Sequence, residues 1–574
     1  MRNSSGRNKT KIPPHLLKSA LVSTTAAGLT LLLLSSTIAP RHYSTGGIAA
    51  VQAFPSSLSL RIPPSSPRAT TSAATPTTAA TTAASKTLQL AAKRQTNPFA
   101  TLVGDMASSL FPSSKLDGAS NDRVITKVAD VPSWESVRLE LEQKLTTEEK
   151  AFRENVERGI GRASPLNKVR LYEEGVKEED VRVVFYRDSA SWCPYCQKVW
   201  LCLEEKRIPY RIEKINMSCY GSKPNSFIRL NPSGTIPVAK IDGKIYNQSN
   251  EIIFALEREF PTHKALIPND GGGDTFQALM RLERNLFSAW LFWLTSNAGD
   301  RAKAGFKDVL QQVEAELASS PNGDFFLGAD VSVIDMLFAP FLERLVASLL
   351  FFKGFTIRVV PGTNTPYPAI NRWFDAMEGL ESYQLTKGDY YSHCWDLPPQ
   401  LGGCTYEEGG EPFEKAINGE LRLGSRSGNQ GGSWEYPLEA HNGGVEPDWG
   451  WCGDAAAARR EAVERLTYNH HALVKFATRG AGRKGMPPYS AVLSDPNAVG
   501  EDAVQGGVDA CLRLVSLALL NDGVGEEEEN SMEKVAQAVV DEGGVDYADG
   551  VVKSLVYLRD RVGVPRDMRL PAAR

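Results

Sequence analysis

From residue 181 onward the chain alternates short apolar runs with stretches of helical period. Residues 181–186 and 210–215 predict buried strands, 196–206 and 225–231 predict helices, and 236–241 with 244–246 predict a hairpin turned at Asp242-Gly243. A helix over 249–258 closes the series, giving the order βαβαββα. The pattern then becomes helical throughout. Residues 276–296 carry Leu, Phe and Trp at helical spacing, Ser332-Val333-Ile334-Asp335 is an N-capping signal before another apolar run, and Pro368-Ala369-Ile370-Asn371-Arg372-Trp373 starts a later helix.

The flanks differ. Residues 133–173 are charged and helix-prone, with Val137, Leu139, Leu141 and Leu145 among Glu and Lys, which predicts one or two helices docking on the domain that follows, or a solvated linker. After Leu397-Pro398-Pro399 the chain is rich in Gly, Glu and Asn as far as Gly453. Beyond it, 455–479 is amphipathic, with Val463, Leu466, Leu473 and Phe476 on one side, and 508–520, 532–540 and 546–562 predict further helices.

Chemistry concentrates at Cys193-Pro194-Tyr195-Cys196, where the first strand gives way to a helix. A cysteine at a helix N-terminus meets unpaired backbone N–H groups and the positive end of the dipole, which favour thiolate over thiol. Cys193 is the expected nucleophile, and Cys196 is either a resolving thiol or a spectator. A structural zinc site would need a second pair of ligands at suitable spacing, and none follows, so no metal is expected. Cys202, within the same apolar helix, is expected in the core. In Asn231-Pro232-Ser233-Gly234-Thr235-Ile236-Pro237-Val238, Pro237 suits a turn better than a strand. A cis bond there would cost only about 0.5 to 1 kcal/mol and would open the Ile236 backbone to an extended peptide such as glutathione. The alternative is a plain strand-entry proline. Trp290, Phe292 and Trp293 are read as core or as the lining of a second-substrate pocket. His470 and His471, being adjacent, are expected on different helix faces and make a poor metal pair.

Residues 181–389 resemble a glutathione transferase. The features that carry the resemblance are Cys193-Pro194-Tyr195-Cys196, Thr235-Ile236-Pro237 and Asn247-Gln248-Ser249, and the Cys-Pro pair is similar to the omega, lambda and dehydroascorbate reductase classes. The resemblance implies an α/β thioredoxin-like domain plus an all-α transferase C-terminal domain, followed here by an additional helical module like that of some plastid transferase-like proteins of plants and algae. It implies glutathione as co-substrate. Cys193 would form the mixed disulfide, Ile236 beside Pro237 would bind the cysteinyl part, Gln248 and Ser249 would hold the γ-glutamyl carboxylate at a helix N-terminus, and Lys223 would contact glutathione. The expected divisions are a leader over 1–104, a helical extension over 133–175, the glutathione-binding domain over 181–264, the helical transferase domain over 274–395, a linker over 400–452 and the helical module over 453–574.

Composition narrows the setting. No Asp or Glu precedes Asp105; Arg2, Arg7, Lys9, Lys11 and Lys18 lead into an apolar run over 21–39, and a Ser/Thr/Ala-rich tract follows Ala53-Phe54. This resembles the bipartite plastid address of algae with complex plastids, a secretory signal or a single membrane anchor being the alternatives. A net charge of −4 over 574 residues argues against a dedicated nucleic-acid binder, and stable membrane insertion of the mature chain is not expected. Eight cysteines, irregularly spaced apart from the Cys193/Cys196 pair, fit a reducing compartment. The expected function is a glutathione-dependent thiol transferase or reductase acting on disulfide, dehydroascorbate-like or other oxidised or electrophilic small molecules. The alternative is a non-catalytic glutathione-binding plastid protein whose C-terminal module is an interaction surface.

Overall fold

The structure is a computed structural model that describes residues 131–268, 273–418, 446–447, 454–485, 491–521, 541, 544 and 546–569. The leader, most of the expected linker and the helix expected over 532–540 lie outside the described residues.

Two helices open the described chain, α1 (Trp134–Lys144), capped by the Ser133 side chain, and α2 (Thr147–Arg158), which starts on a capping box between Thr146 and Glu149. The strands are β1 (Val169–Arg170), β2 (Val183–Asp188), β3 (Tyr210–Ile215), β4 (Val238–Ile241) and β5 (Lys244–Tyr246), joined in the order β1-β3-β2-β4-β5. β2 and β3 are parallel and the other pairs antiparallel. Parallel neighbours need a crossover, and α3 (Pro194–Lys206) supplies it. α4 (Asn225–Leu230) and α5 (Ser249–Glu259) complete the predicted order. β1 is new: two residues at a sheet edge have no periodicity to find, yet they cover the outer side of β3.

The helical part comprises α6 (Gly273–Thr295), α7 (Gly299–Ala318), α8 (Val333–Lys353), α9 (Pro368–Glu378), α10 (Glu381–Thr386) and α11 (Tyr390–Leu401). α8 is mostly apolar on every side, Asp335, Glu343, Arg344, Ser348 and Lys353 being its polar residues, and it is buried along its whole length, as a central helix must be. Its start is fixed by Asp335, whose carboxylate accepts from Ser332 N–H (2.9 Å), Ser332 Oγ (2.7 Å), Phe326 N–H (3.0 Å) and Trp373 Nε1 (2.9 Å). Its end is fixed by Gly354 at φ 64°, where a Cβ would stand 2.0 Å from the Gly409 carbonyl oxygen, so only glycine fits. That contact belongs to a segment expected to be linker. Residues 404–417 pack instead: Thr405 and Glu407 donate backbone N–H groups to Leu294 and Phe352, and α12 (Glu411–Ile417) buries Ala416 and Ile417.

The last helices are α13 (Ala455–Tyr468), α14 (His470–Ala477), α15 (Gln505–Leu520) and a helical run over 546–559. α1 was expected on the domain that follows it; its apolar residues Val137 and Leu141 instead cluster with Ala462, Val463, Val515 and Leu519 of α13 and α15. Polar groups fix the same pairing, with Trp134 Nε1 donating to Asp509 (2.7 Å) and Arg153 pairing with Glu464 (2.8 Å). The His470 and His471 rings lie 3.9 Å apart rather than on separate faces, because both stand at the first turn of α14, next to the non-helical Asn469.

Candidate active site

Cys193 is the N-cap of α3 and Pro194 its first residue, a place where the missing proline N–H costs nothing. The turn before it is held from below by Asp188 at the end of β2, a buried carboxylate that accepts from Trp192 N–H (2.5 Å) and Cys193 N–H (3.0 Å). The fully buried Arg187 stacks over Trp200 and donates to Ser191 Oγ (2.8 Å). From the helical side Arg344 of α8 reaches in: it donates to the Trp192 carbonyl oxygen and to Gln197 Oε1 (2.9 Å), while Gln197 donates to Glu343 (2.7 Å). His393 Nε2 lies 3.3 Å from Glu343, and burial, helped by the charge of Arg344, lowers the pKa of this histidine. The active turn is thus clamped between the two halves of the fold.

Cys196 faces inward one turn along α3. Burial first, and then its hydrogen bond to the Cys193 sulfur, push the Cys196 thiol far above its ordinary range, so it keeps its proton and donates to Cys193. Both sulfurs are free thiols. Lys223, half-buried on the loop after β3, lies within electrostatic range of Cys193, Cys219 and Cys196 and donates to Ser218 Oγ (3.3 Å). Desolvation lowers its pKa, against the pull of those sulfurs.

The Ile236–Pro237 peptide is cis. The β2/β4 register pairs Tyr186 with Val238, so Ile236 and Pro237 continue it toward Asp188 and the Cys193 turn. Neither backbone polar group of Ile236 pairs with another backbone group among the described residues. Buried Asn231 shapes this loop, donating to the Thr235 carbonyl (2.9 Å) and accepting from Asn247 (3.4 Å). Gln248 is the exposed N-cap of α5 and Ser249 its first residue. Cys193, Cys196 and Lys223 are therefore brought together directly, and Ile236, Gln248 and Ser249 join them along the loops at one end of the sheet.

A cluster between α3, α6 and α8 was not foreseen. Tyr195 is bonded to Arg284 of α6 and meets Phe341 edge-on at 5.8 Å, and the Arg284 guanidinium lies 4.9 Å from both the Phe287 and Phe341 rings. Beneath them buried Lys198 pairs with Glu283 at 2.8 Å, and desolvation brings the lysine down to about 8. Of the two readings given to the α6 aromatics, core holds for the two tryptophans. Trp290 and Trp293 are core, donating to Ser348 (3.0 Å) and Glu407 (2.8 Å), and Phe292 is 52% exposed. Cys202 is core, as expected. Among the described residues no cluster of His, Cys, Asp and Glu is arranged to hold a metal.

Family comparison covers both halves of this arrangement. The family described as glutathione S-transferase, N-terminal domain, matches residues 192–259, and that described as glutathione S-transferase, C-terminal domain, matches residues 296–376. Glutathione S-transferase DHAR2 of Arabidopsis thaliana is 30% identical over 201 residues, 35% of this chain and 86% of the relative. Glutathione S-transferase DHAR3, chloroplastic, of the same plant is 28% identical over 198 residues, 34% of this chain and 69% of the relative. A solved structure of a dehydroascorbate reductase from Chlamydomonas reinhardtii is 22% identical, over 37% of this chain and 94% of its own length, with a TM-score of 0.30. With a cysteine capping its first active-site helix and both family domains present, this chain belongs to the glutathione S-transferase family of enzymes.

Proposed function

We propose that the chain is a glutathione-dependent thiol transferase and reductase that works through a Cys193–glutathione mixed disulfide. The observation that carries this reading is the Cys193 sulfur at the α3 N-cap, hydrogen-bonded to the Cys196 thiol and within electrostatic range of Lys223. A tyrosine or serine hydroxyl in that place would only stabilise the glutathione thiolate, whereas a cysteine can itself attack.

On a glutathione mixed disulfide, the Cys193 thiolate attacks the glutathione sulfur, the old S–S bond breaks, and the substrate leaves as a thiolate that takes up a proton. A second glutathione thiolate then attacks the same sulfur, releasing glutathione disulfide and the Cys193 thiolate. On a dehydroascorbate-type dicarbonyl, Cys193 adds to a carbonyl carbon. Glutathione then attacks the Cys193 sulfur, so that the C–S bond electrons return to the substrate as the reduced enol. The second glutathione again clears the mixed disulfide, and two thiols have supplied two electrons and two protons. The DHAR names of the relatives favour the dicarbonyl substrate. Glutathione would lie along the Ile236 backbone with its γ-glutamyl carboxylate at Gln248 and Ser249 and with Lys223 in contact. The second substrate would enter between Tyr195, Phe287, Phe341 and Arg284. The chloroplastic relative supports the plastid reading of the leader, and import of a fluorescent protein carrying residues 1–104 tests it.

Turnover of a glutathione mixed disulfide and of dehydroascorbate by wild type, Cys193→Ser and Cys196→Ser is the direct test. Cys193→Ser is expected to lose both activities by about a thousandfold or more. If wild type binds glutathione but turns over neither compound, the binding-protein reading replaces the enzyme reading.

A further inference from the structure

The C-terminal segment that follows the last helical run packs on the transferase body at the first turns of α11. Tyr391 Oη donates to the Asp560 carbonyl (2.9 Å), Val564 N–H donates to Asp389 Oδ2 (3.2 Å), and a Cβ on Gly563 would meet Ser392 Oγ at 2.8 Å. Asp389 is at the same time the N-cap of α11, accepting from Ser392 N–H at 2.5 Å, so one carboxylate fixes both the helix start and the segment. Farther along, α11 holds the loop after β3: Tyr220 Oη donates to Asp396, and Gln400 Nε2 donates to the Cys219 sulfur. That loop is the one that carries Lys223.

We infer that residues 560–564 are a strap that, through α11, positions the Lys223 loop beside Cys193, making the C-terminal extension a working part of the glutathione site. The inference rests on the glutathione reading of Lys223 proposed above. Two further observations agree with it. Arg566, just beyond the strap, lies within electrostatic range of both Tyr220 and Asp396, so the extension supplies a countercharge to the very pair that holds the loop. A Cβ on Gly221, within that loop, would lie 3.8 Å from Pro496, a second residue of the extension. Removing the strap's grip leaves Cys193 in place, since its turn is held by Asp188 and Arg344, and loosens only the lysine. The strap residues are positioning residues.

The test uses the full-length chain and four proteins: wild type, Gly563→Leu, Lys223→Gln and the double variant. Gly563→Leu forces the segment off Ser392 and is expected to raise the KM for glutathione about three- to tenfold with kcat within about twofold. Lys223→Gln should do the same, and the double variant should be no worse than Lys223→Gln alone, because both changes remove one interaction. Amide hydrogen exchange over 218–223 should quicken in Gly563→Leu while β4 stays protected. Tyr391→Phe, which removes only the bond to Asp560, should shift KM and exchange in the same direction by less, and it stands in should Gly563→Leu not fold. An unchanged KM in Gly563→Leu beside a raised one in Lys223→Gln, or additive effects in the double variant, overturns the strap. If Lys223→Gln leaves KM unchanged, the glutathione reading of Lys223 is what has failed. Exchange then decides the strap alone, quickening at 218–223 supporting it and no change overturning it.

Discussion

Cys196 shows how one side chain can be legible in kind and not in role. The Cys-x-x-Cys spacing announces a redox pair, but whether the second thiol takes part depends on its surroundings, and here it is buried and keeps its proton. Cys196→Ser retains a hydroxyl that can donate to Cys193, so turnover by the monothiol route is expected to stay within about tenfold of wild type, measured with excess glutathione. Asp396 gives a second prediction at this scale. Burial pushes its carboxyl up to about 7, against the bond from Tyr220 and the charge of Arg566, and with Asp188 and Asp389 adding to the rise. The folded protein therefore holds this proton at pH values where the unfolded chain, near 3.8, has released it. Stability from this group is full below that lower value and is lost as the pH rises toward about 7. The melting temperature of wild type relative to Asp396→Asn should accordingly be higher at pH 5 than at pH 8, and a difference that does not change with pH contradicts the assignment. The residues missed from sequence share one property. Asp188 sits five places before Cys193 and its role needed only the turn to be drawn, but Arg344 and Arg284 act across about 150 and 90 residues of chain. The trace left by Arg344 was the Glu343-Arg344 pair inside an otherwise apolar run, since charges buried there require partners.

Elements whose signals are local were readable, and those defined by a neighbour were not. The α8 start could be read from Ser332 and Asp335 because a cap is written within four residues. Its strength could not, since Phe326 N–H and Trp373 Nε1 come from elsewhere. Asp335→Ala leaves four donors unsatisfied around a fully buried position, and a loss of about 3 to 5 kcal/mol is expected in urea unfolding followed by tryptophan fluorescence. A loss under about 1 kcal/mol would show that water or a rearranged turn replaces the carboxylate. β1 and α12 fall on the other side: one is a two-residue strand and the other lies in a Gly- and Glu-rich stretch that reads as linker. Both exist because an edge of β3 and the end of α8 need covering.

For the molecule as a whole, the pattern of apolar positions gave the thioredoxin-like and helical halves in order, while the placement of α1 was decided by residues more than 300 positions away. Trp134 stacks on His470 at 4.8 Å and donates to Asp509, so Trp134→Ala is expected to destabilise the C-terminal helices by about 2 to 3 kcal/mol, with faster hydrogen exchange in α13 and α15 and little change in the sheet. Equal destabilisation of the sheet would mean that the two regions unfold together. The pairing of α1 with α15 also orders events in time. On a ribosome α1 emerges early and finds no part of this cluster until the chain has grown past α13, and the cluster is complete only past residue 520, so Val137 and Leu141 stay uncovered in the interval. The transferase body, whose contacts are nearer in sequence, has time to fold in between, and in doing so it draws together the two ends of what was a very long loop. Closing the helical bundle is then a late, short-range search, and a nascent chain stopped before α13 would present its first helix to chaperones.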